Sequence, residues 1–544
     1  MALLRLITTY EEPRPTSTTT TSPRLDRRIG PFAMLLLGVT SIIGSGWLFA
    51  ALYAAQMAGP AAVLSWLVGG IIVIVLALIY AELGGMLPVA GALASIPRFS
   101  HGTLSGFTAG WLCWIAYVTV APIEVSAVLE YATNYLPWLS HDIGGEKALT
   151  GAGIGVAASL MAIFSLVNML GVQWLARSSS TITIWKLAVP LVAAAALMLA
   201  GFQFDNFHAF GGFAPDGFSG VFAAVSGGGV LFSLLGFRVV VDMAGEARNP
   251  QKTIPFAIIG AVFTCLVIYI LLQVAFVGVI PASHLDSGWH NIVENVMGGP
   301  FAGFAALLGL QWLAMLLYAD AIISPAGTGL SYIGTTARIN YAMAESGQFP
   351  SLFARLNASK VPVWALLFNF VVGMIMFLPF PGWAELVGFI SSASILSFSY
   401  GPVAMAALRH QAKNLARPYK APLGLWLAAI AFIFVGFANY WSGWDTNWKV
   451  FLLTLAGLVM FLAIRLRARG KGEPLHARQS GWFWLFAAGL ALLSWLGNYG
   501  NGLGVLPQGI DLLLVSLWSL LCFWLGLRWR LPNEDTNRMI AAAT

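Results

Sequence analysis

The chain has 544 residues, of which 58% are apolar and only 9% charged. A soluble domain carries about 25% charged residues, so the composition excludes an ordinary soluble globular protein and indicates an all-α integral membrane protein. The net charge of +6 comes from basic residues in short segments between apolar runs. That pattern orients membrane helices and argues against a nucleic-acid partner.

Residues 1–28 are polar, rich in Thr and Pro, and basic, without a signal-peptide core. They are expected to form a mostly disordered cytoplasmic tail. A spanning helix needs roughly 20 apolar residues, and about fourteen such runs follow. The first five lie near 31–57, 61–82, 104–130, 151–172 and 180–201, and the next five near 218–244, 254–280, 301–330, 361–381 and 384–408. The last four lie near 422–441, 447–465, 481–498 and 509–528. This divides the chain into a ten-helix core at 29–410, four further helices at 411–530 and a cytoplasmic tail at 531–544.

Charge gives an independent check on orientation. With the N-terminus inside, the cytoplasmic segments hold Arg24, Arg27, Arg28, Arg98, Arg177, Arg248, Lys252, Arg338, Arg355 and Lys360. Further basic residues follow at Arg409, Lys413, Arg417, Lys420, Arg465 to Arg478 and Arg528 to Arg538, while the external segments hold only Lys147 and Lys449. The asymmetry matches the positive-inside rule. It predicts both termini in the cytoplasm and a multi-pass protein of the cell membrane.

Two runs are interrupted. The first contains Ile43-Gly44-Ser45-Gly46, and the sixth contains Gly227-Gly228-Gly229 and then Leu235-Gly236. Glycine clusters weaken a helix, and unwound backbone at membrane depth persists only where it lines a cavity or is buried in protein. The breaks fall five helices apart, at matching places in two five-helix halves, which points to an inverted-repeat transporter with its site at the midplane. The competing reading is close helix packing through small residues.

Several segments carry a family resemblance: Gly44-Ser45-Gly46 followed by Trp47-Leu48-Phe49, then Tyr80-Ala81-Glu82-Leu83 with Pro88 and Gly91. Phe232-Ser233-Leu234-Leu235-Gly236-Phe237 follows, then Ala244-Gly245-Glu246-Ala247-Arg248-Asn249-Pro250, and finally Ala337-Arg338 and Tyr341-Ala342-Met343-Ala344 with Gly347 and Pro350. Together they resemble the amino acid–polyamine–organocation (APC) family over roughly 30–410. The resemblance implies a five-plus-five inverted-repeat (LeuT-like) core with discontinuous helices 1 and 6, alternating access, and substrates with an α-amino and an α-carboxyl group. A half-helix starting near Gly46 would offer amides to the carboxylate. Carbonyls near Phe232, Ser233 and Leu235 would receive the ammonium group. The last four helices carry no motif.

Ionisable residues at membrane depth are functional candidates because burying them is costly. Lys186 in the fifth run stands where the family often has a lysine and sodium-coupled relatives hold a cation. It is read as a proton-coupling site, against a permanently charged lysine bonded to helix-end carbonyls. Glu124 is read as its partner or proton relay, or as a protonated glutamate bonded within the bundle. Arg238 sits two residues past Gly236, where many family members have an acidic or small residue. A guanidinium there favours a second substrate carboxylate, and in this the chain resembles the aspartate–proton symporter branch. The alternative is an intrahelical pair with Asp242. Asp320 is a secondary candidate, facing Lys186 or pairing with Arg238. Glu82, Glu246 and Arg248 suit an inner gate or a structural network.

Cys113, Cys265 and Cys522 lie inside apolar runs and read as small core hydrophobes. The seven histidines are scattered and read as solvated loop residues, so neither metal nor cofactor is expected. With no nucleophile–base set or phosphate loop, an enzyme or ATP-driven pump is not expected. The sequence thus predicts proton symport of amino acids, acidic ones first. Amino-acid exchange, a neutral permease and a channel are the alternatives.

Overall fold

The computed structural model describes residues 29–89, 91–143, 146–169, 172–295, 299–357, 361–378, 382–467 and 473–543. The 1–28 tail therefore lies outside the described residues. Each apolar run of the sequence corresponds to helix. Among the described residues, nine helices are long and apolar enough to cross a membrane, or ten if one bent pair counts as a single span.

The first run splits into α1 (Pro31–Ile42) and α2 (Gly46–Ala58). Next come α3 (Ala62–Met86) and the short α4 (Ala92–His101), too brief and mixed to span. The third run is divided at Thr119 into α5 (Thr103–Val118) and α6 (Val120–Ala132). Pro122 explains the division, because it has no amide for the Val118 carbonyl one turn back. A two-stranded hairpin follows, β1 (Ser140–Ile143) with β2 (Glu146–Leu149), an element the hydropathy pattern did not announce. Then come α7 (Gly151–Met169) and α8 (Val172–Gly201).

The sixth run comprises α9 (Gly217–Ser226), α10 (Val230–Leu234), a tight turn at Leu235–Phe237 and α11 (Arg238–Asp242), with a bend of 48°. Prolines at the first turn start both α12 (Pro250–Val279) and α13 (Pro300–Leu307). After them run α14 (Gln311–Glu345), α15 (Val363–Met376), α16 (Trp383–Phe398) and α17 (Tyr400–Gln411). Pro402 interrupts the α16–α17 span at Ser399 as Pro122 does the third. The remaining helices are α18 (Leu425–Trp441), α19 (Trp444–Arg467), α20 (Ala477–Leu496), α21 (Ile510–Arg528) and α22 (Asn533–Ala543). The 531–544 tail is thus largely helical.

Packing places the two interrupted segments against each other. α1 touches the Leu235–Phe237 turn and α11, while α2 touches α9 and α10. α12 packs on α1 and α3, and α14 packs on α5, α6, α7 and α8. The broken segments are therefore enclosed by long helices rather than by lipid, as unpaired backbone requires.

Candidate functional site

At the first interruption Ile43 is extended (φ −82°, ψ 94°), and α2 does not begin until Gly46. Carbonyls that would have been bonded within a continuous helix find other donors. Lys186 Nζ donates to the Thr40 carbonyl at 3.0 Å, the Ile43 carbonyl at 2.7 Å and Thr328 Oγ1 at 2.7 Å. Tyr269 donates to the Ile42 carbonyl at 3.1 Å. On the opposite side of the break, the Ser45 amide donates to Glu124 Oε2 at 2.8 Å. The helix start that the sequence assigned to a substrate carboxylate is held by a carboxylate of the chain itself.

The second interruption turns at Gly229, whose φ of +81° is a conformation glycine adopts without strain. The Phe232 and Leu235 carbonyls each accept an amide from the following turn, so each keeps one lone pair for another donor. Ser233 Oγ donates to the Gly229 carbonyl at 2.8 Å. The two breaks meet backbone to backbone. A Cβ on Gly236 would lie 2.2 Å from the Ser41 carbonyl oxygen, and one on Gly46 would lie 2.3 Å from Ser233 Oγ.

A narrow cavity lies between the breaks, lined by Gly44, Glu124, Phe232, Leu235, Gly236, Arg238, Thr328 and Tyr332, among others. Its free centre is about the size of one water molecule. Ile43, Ser45, Gly46 and Ser233 belong to the two breaks but are not among the lining residues. Glu124 Oε1 is buried there without a hydrogen-bond partner among the described residues.

Arg238 is 3% exposed and makes no ion pair among the described residues. Its Nη1 donates to Ser394 Oγ at 2.6 Å and its Nε to the Tyr332 hydroxyl at 3.4 Å. The guanidinium carbon lies 4.3 Å from the centre of the Tyr117 ring. The pair with Asp242 that one helical turn would allow is not formed. Asp320 does not pair with Arg238 either. It accepts bonds from Trp47 Nε1 at 3.1 Å, Trp185 Nε1 at 2.7 Å and Ser324 Oγ at 2.8 Å.

Two further sets of contacts lie outside the cavity lining. On the α2 side, Trp383 Nε1 donates to Ser45 Oγ at 2.9 Å, and its ring packs on Phe49, Tyr53 and Phe232. At the far end of the α16–α17 span, Arg409 grips the buried Glu82 through Nε at 2.9 Å and Nη2 at 2.5 Å, and the Ala421 amide joins at 2.7 Å. Glu246 and Arg338 stand 3.5 Å apart at that end. Arg248 contributes its amide to the Ile29 carbonyl there, at 2.8 Å.

Sequence reasoning overlooked Thr328, Tyr332, Ser394 and Trp383, which carry no charge and no recognisable spacing. His101, expected on a solvated loop, is buried. It bonds the Gly526 carbonyl through Nε2 at 3.0 Å and Ser100 Oγ through Nδ1 at 2.8 Å.

Comparison with known proteins adds an independent line. Residues 29–462 match the amino acid permease family. The glutamate/serine transporter AimA of Bacillus subtilis is 37% identical over 92% of this chain and 93% of its own length. The aspartate-proton symporter of the same organism is 38% identical over 92% of this chain and 96% of its own. The human cationic amino acid transporter 4 is 27% identical over 75% of this chain and 64% of its own. The chain, with its many membrane-capable helices and full-length likeness to named amino acid transporters, belongs to the amino acid permeases of the APC family.

Proposed function

We propose that the chain takes up acidic amino acids, aspartate or glutamate, with a proton, by alternating access across the cell membrane. The observation that carries this reading is Arg238: a buried guanidinium on the cavity wall whose polar contacts are all neutral. A carboxylate entering the cavity would supply the missing counter-charge through two parallel bonds. A cationic substrate would be repelled.

Residues 29–410 form the transport core in this reading, a five-plus-five repeat whose first and sixth helices break around the substrate. Both termini face the cytoplasm, so Trp383 closes the outer side and Glu82–Arg409 the inner. The α-carboxylate docks on the amides that begin α2, and the ammonium group on spare lone pairs of the α10 region. Glu124 now occupies the Ser45 amide, and two carboxylates repel at one helix start. A proton on Glu124 removes that conflict, so proton and substrate favour the same loaded state. Lys186 ties the position of the first break to this exchange through its bonds to Thr40 and Ile43. Asp320 completes the polar chain beside Trp47. Coupling of this kind requires each ligand to prefer one conformation.

The names of the two B. subtilis relatives support acidic cargo, and that of one supports a proton as co-substrate. Serine in the other name favours a second reading in which small neutral amino acids share the site. Uptake of labelled aspartate, glutamate, serine and lysine into proteoliposomes, with and without an inward acid gradient, tests the proposal. Arg238→Ala should weaken acidic substrates far more than serine. Equal losses on every substrate would return Arg238 to a structural role.

A further inference from the structure

We infer that Tyr117 sets substrate preference by holding Asp242 away from Arg238, so that the cation stays available to the ligand. The inference rests on the acidic-substrate reading. Arg238 and Asp242 begin and end α11, four residues apart, a spacing at which opposite charges on a helix normally meet. They do not pair, and the reason lies on α5. The Tyr117 ring covers the guanidinium with its centre 4.3 Å from the carbon, while its hydroxyl donates to Asp242 Oδ2 at 2.5 Å. The other oxygen, Oδ1, accepts the Leu93 amide at 3.3 Å. Each carboxylate oxygen thereby takes a donor other than Arg238.

The remaining partners of Arg238 are the hydroxyls of Ser394 and Tyr332 and the Tyr332 ring at 5.3 Å. All are neutral. They fix the guanidinium plane without cancelling its charge, and an arginine stays charged under all ordinary conditions. A guanidinium paired internally has less to offer a carboxylate ligand than one held by hydroxyls and a ring face. Removing the Tyr117 hydroxyl strips Asp242 Oδ2 of its partner, and the cation one turn back becomes the replacement. Tyr117 is therefore a positioning residue. Its hydroxyl decides whether the site reads as cationic or as neutral.

The test reconstitutes the full chain as wild type, Tyr117→Phe, Asp242→Asn and the double variant, and measures KM for L-aspartate and L-serine. Tyr117→Phe should raise the aspartate KM roughly tenfold, equivalent to one charge-assisted hydrogen bond, and shift the serine KM by less than about twofold. Asp242→Asn should keep the preference for aspartate, since it removes the competing charge. The double variant should recover that preference, which a merely structural defect at Tyr117 would not allow. An unchanged aspartate-to-serine ratio in Tyr117→Phe, equal losses on both substrates, or no recovery in the double variant overturns the inference. Where uptake is lost, thermal stabilisation of the purified protein by each amino acid gives the same ratio, and a variant stabilised by neither counts against it. A wild type that ignores aspartate would sink the acidic-substrate reading itself, and it shows in the wild-type measurement before any variant is compared.

Discussion

Replacing Lys186 by Met separates the coupling role of this residue from a structural one. The ammonium group serves three acceptors: the carbonyls of Thr40 and Ile43 and the Thr328 hydroxyl. Thr328 already lies 3.3 and 3.2 Å from the same two carbonyls. After substitution its single hydrogen can serve one of them, leaving one buried carbonyl unpaired at a cost of about 1–3 kcal/mol. Removing a buried charge relieves a desolvation penalty of several kcal/mol, and the lost attraction to Glu124 and Asp320 offsets much of it. The net change is small beside a typical folding stability of about 5–15 kcal/mol, so the variant should fold and its transport can be read.

In the proposed symport, the magnitude of coupling follows from the proton gradient. One pH unit is worth about 1.4 kcal/mol per proton, a tenfold concentration ratio. Aspartate carries one net negative charge at neutral pH, so one proton makes the moving cargo electroneutral. The membrane potential, about 2.3 kcal/mol per charge at 100 mV, then drops out. With an inward gradient of about one unit, the wild type should accumulate aspartate about tenfold. Lys186→Met should only equilibrate it, while exchange of preloaded aspartate persists in counterflow. A variant that concentrates aspartate and follows external pH like the wild type removes Lys186 from the mechanism.

Two further perturbations probe the geometry of the breaks and the buried histidine. Gly236→Ala puts a methyl group 2.2 Å from the Ser41 carbonyl and 2.5 Å from the Ile42 amide nitrogen. Backbone must move apart at a cost of about 1–3 kcal/mol or more, and uptake should collapse. Gly46→Ala meets the end of a serine side chain instead, so its uptake loss should be smaller, and the reverse order would refute the observed contact. His101 sits outside the spans, and burial pushes its pKa from 6.5 down to about 4. The unfolded chain binds this proton below about pH 6.5 and the native chain does not, so the stabilisation is full above 6.5 and is lost as pH falls toward 4. The loss reaches about 3 kcal/mol at the lower end. His101→Gln should flatten the fall in Tm between pH 7 and 5, and identical acid sensitivity in both proteins would clear His101 as the cause.

The breaks were legible because glycine has a backbone consequence. Gly44, Gly46, Gly229 and Gly236 each sit where a Cβ would collide or where φ is positive. Charges were legible too, since Lys186, Glu124 and Arg238 stand out against apolar runs, and the structure brings all three to the first break or the cavity wall. What sequence could not show was partnership. The Arg238–Asp242 spacing suggested a pair, yet Tyr117, 121 and 125 residues away from them along the chain, decides otherwise. Thr328 and Trp383 are ordinary residues in apolar helices, and only the fold gives them the first break as a neighbour. Pro122 and Pro402 were visible, but the interruptions they cause at Thr119 and Ser399 fall inside runs that read as continuous in the sequence.

The narrowness of the cavity also constrains how the proposed cycle can run. The cavity holds about one water, whereas an amino acid is many times that volume, so loading requires the breaks to separate. The contact between Gly236 and Ser41 cannot yield by a rotamer change, because both sides are backbone. In the proposed cycle the first break shifts as a body, with Lys186 and Glu124 bonded to it. On the proposed inner side, Glu82 is buried and bound by Arg409 and the Ala421 amide. Opening there strands a buried carboxylate unless water enters at once, a penalty of about 3–5 kcal/mol for one lost partner. In the proposed symport, substrate and proton binding at the breaks offset that penalty together. In a carrier of the proposed kind, neither ligand alone would open the inner side, which is the condition for symport rather than a proton leak.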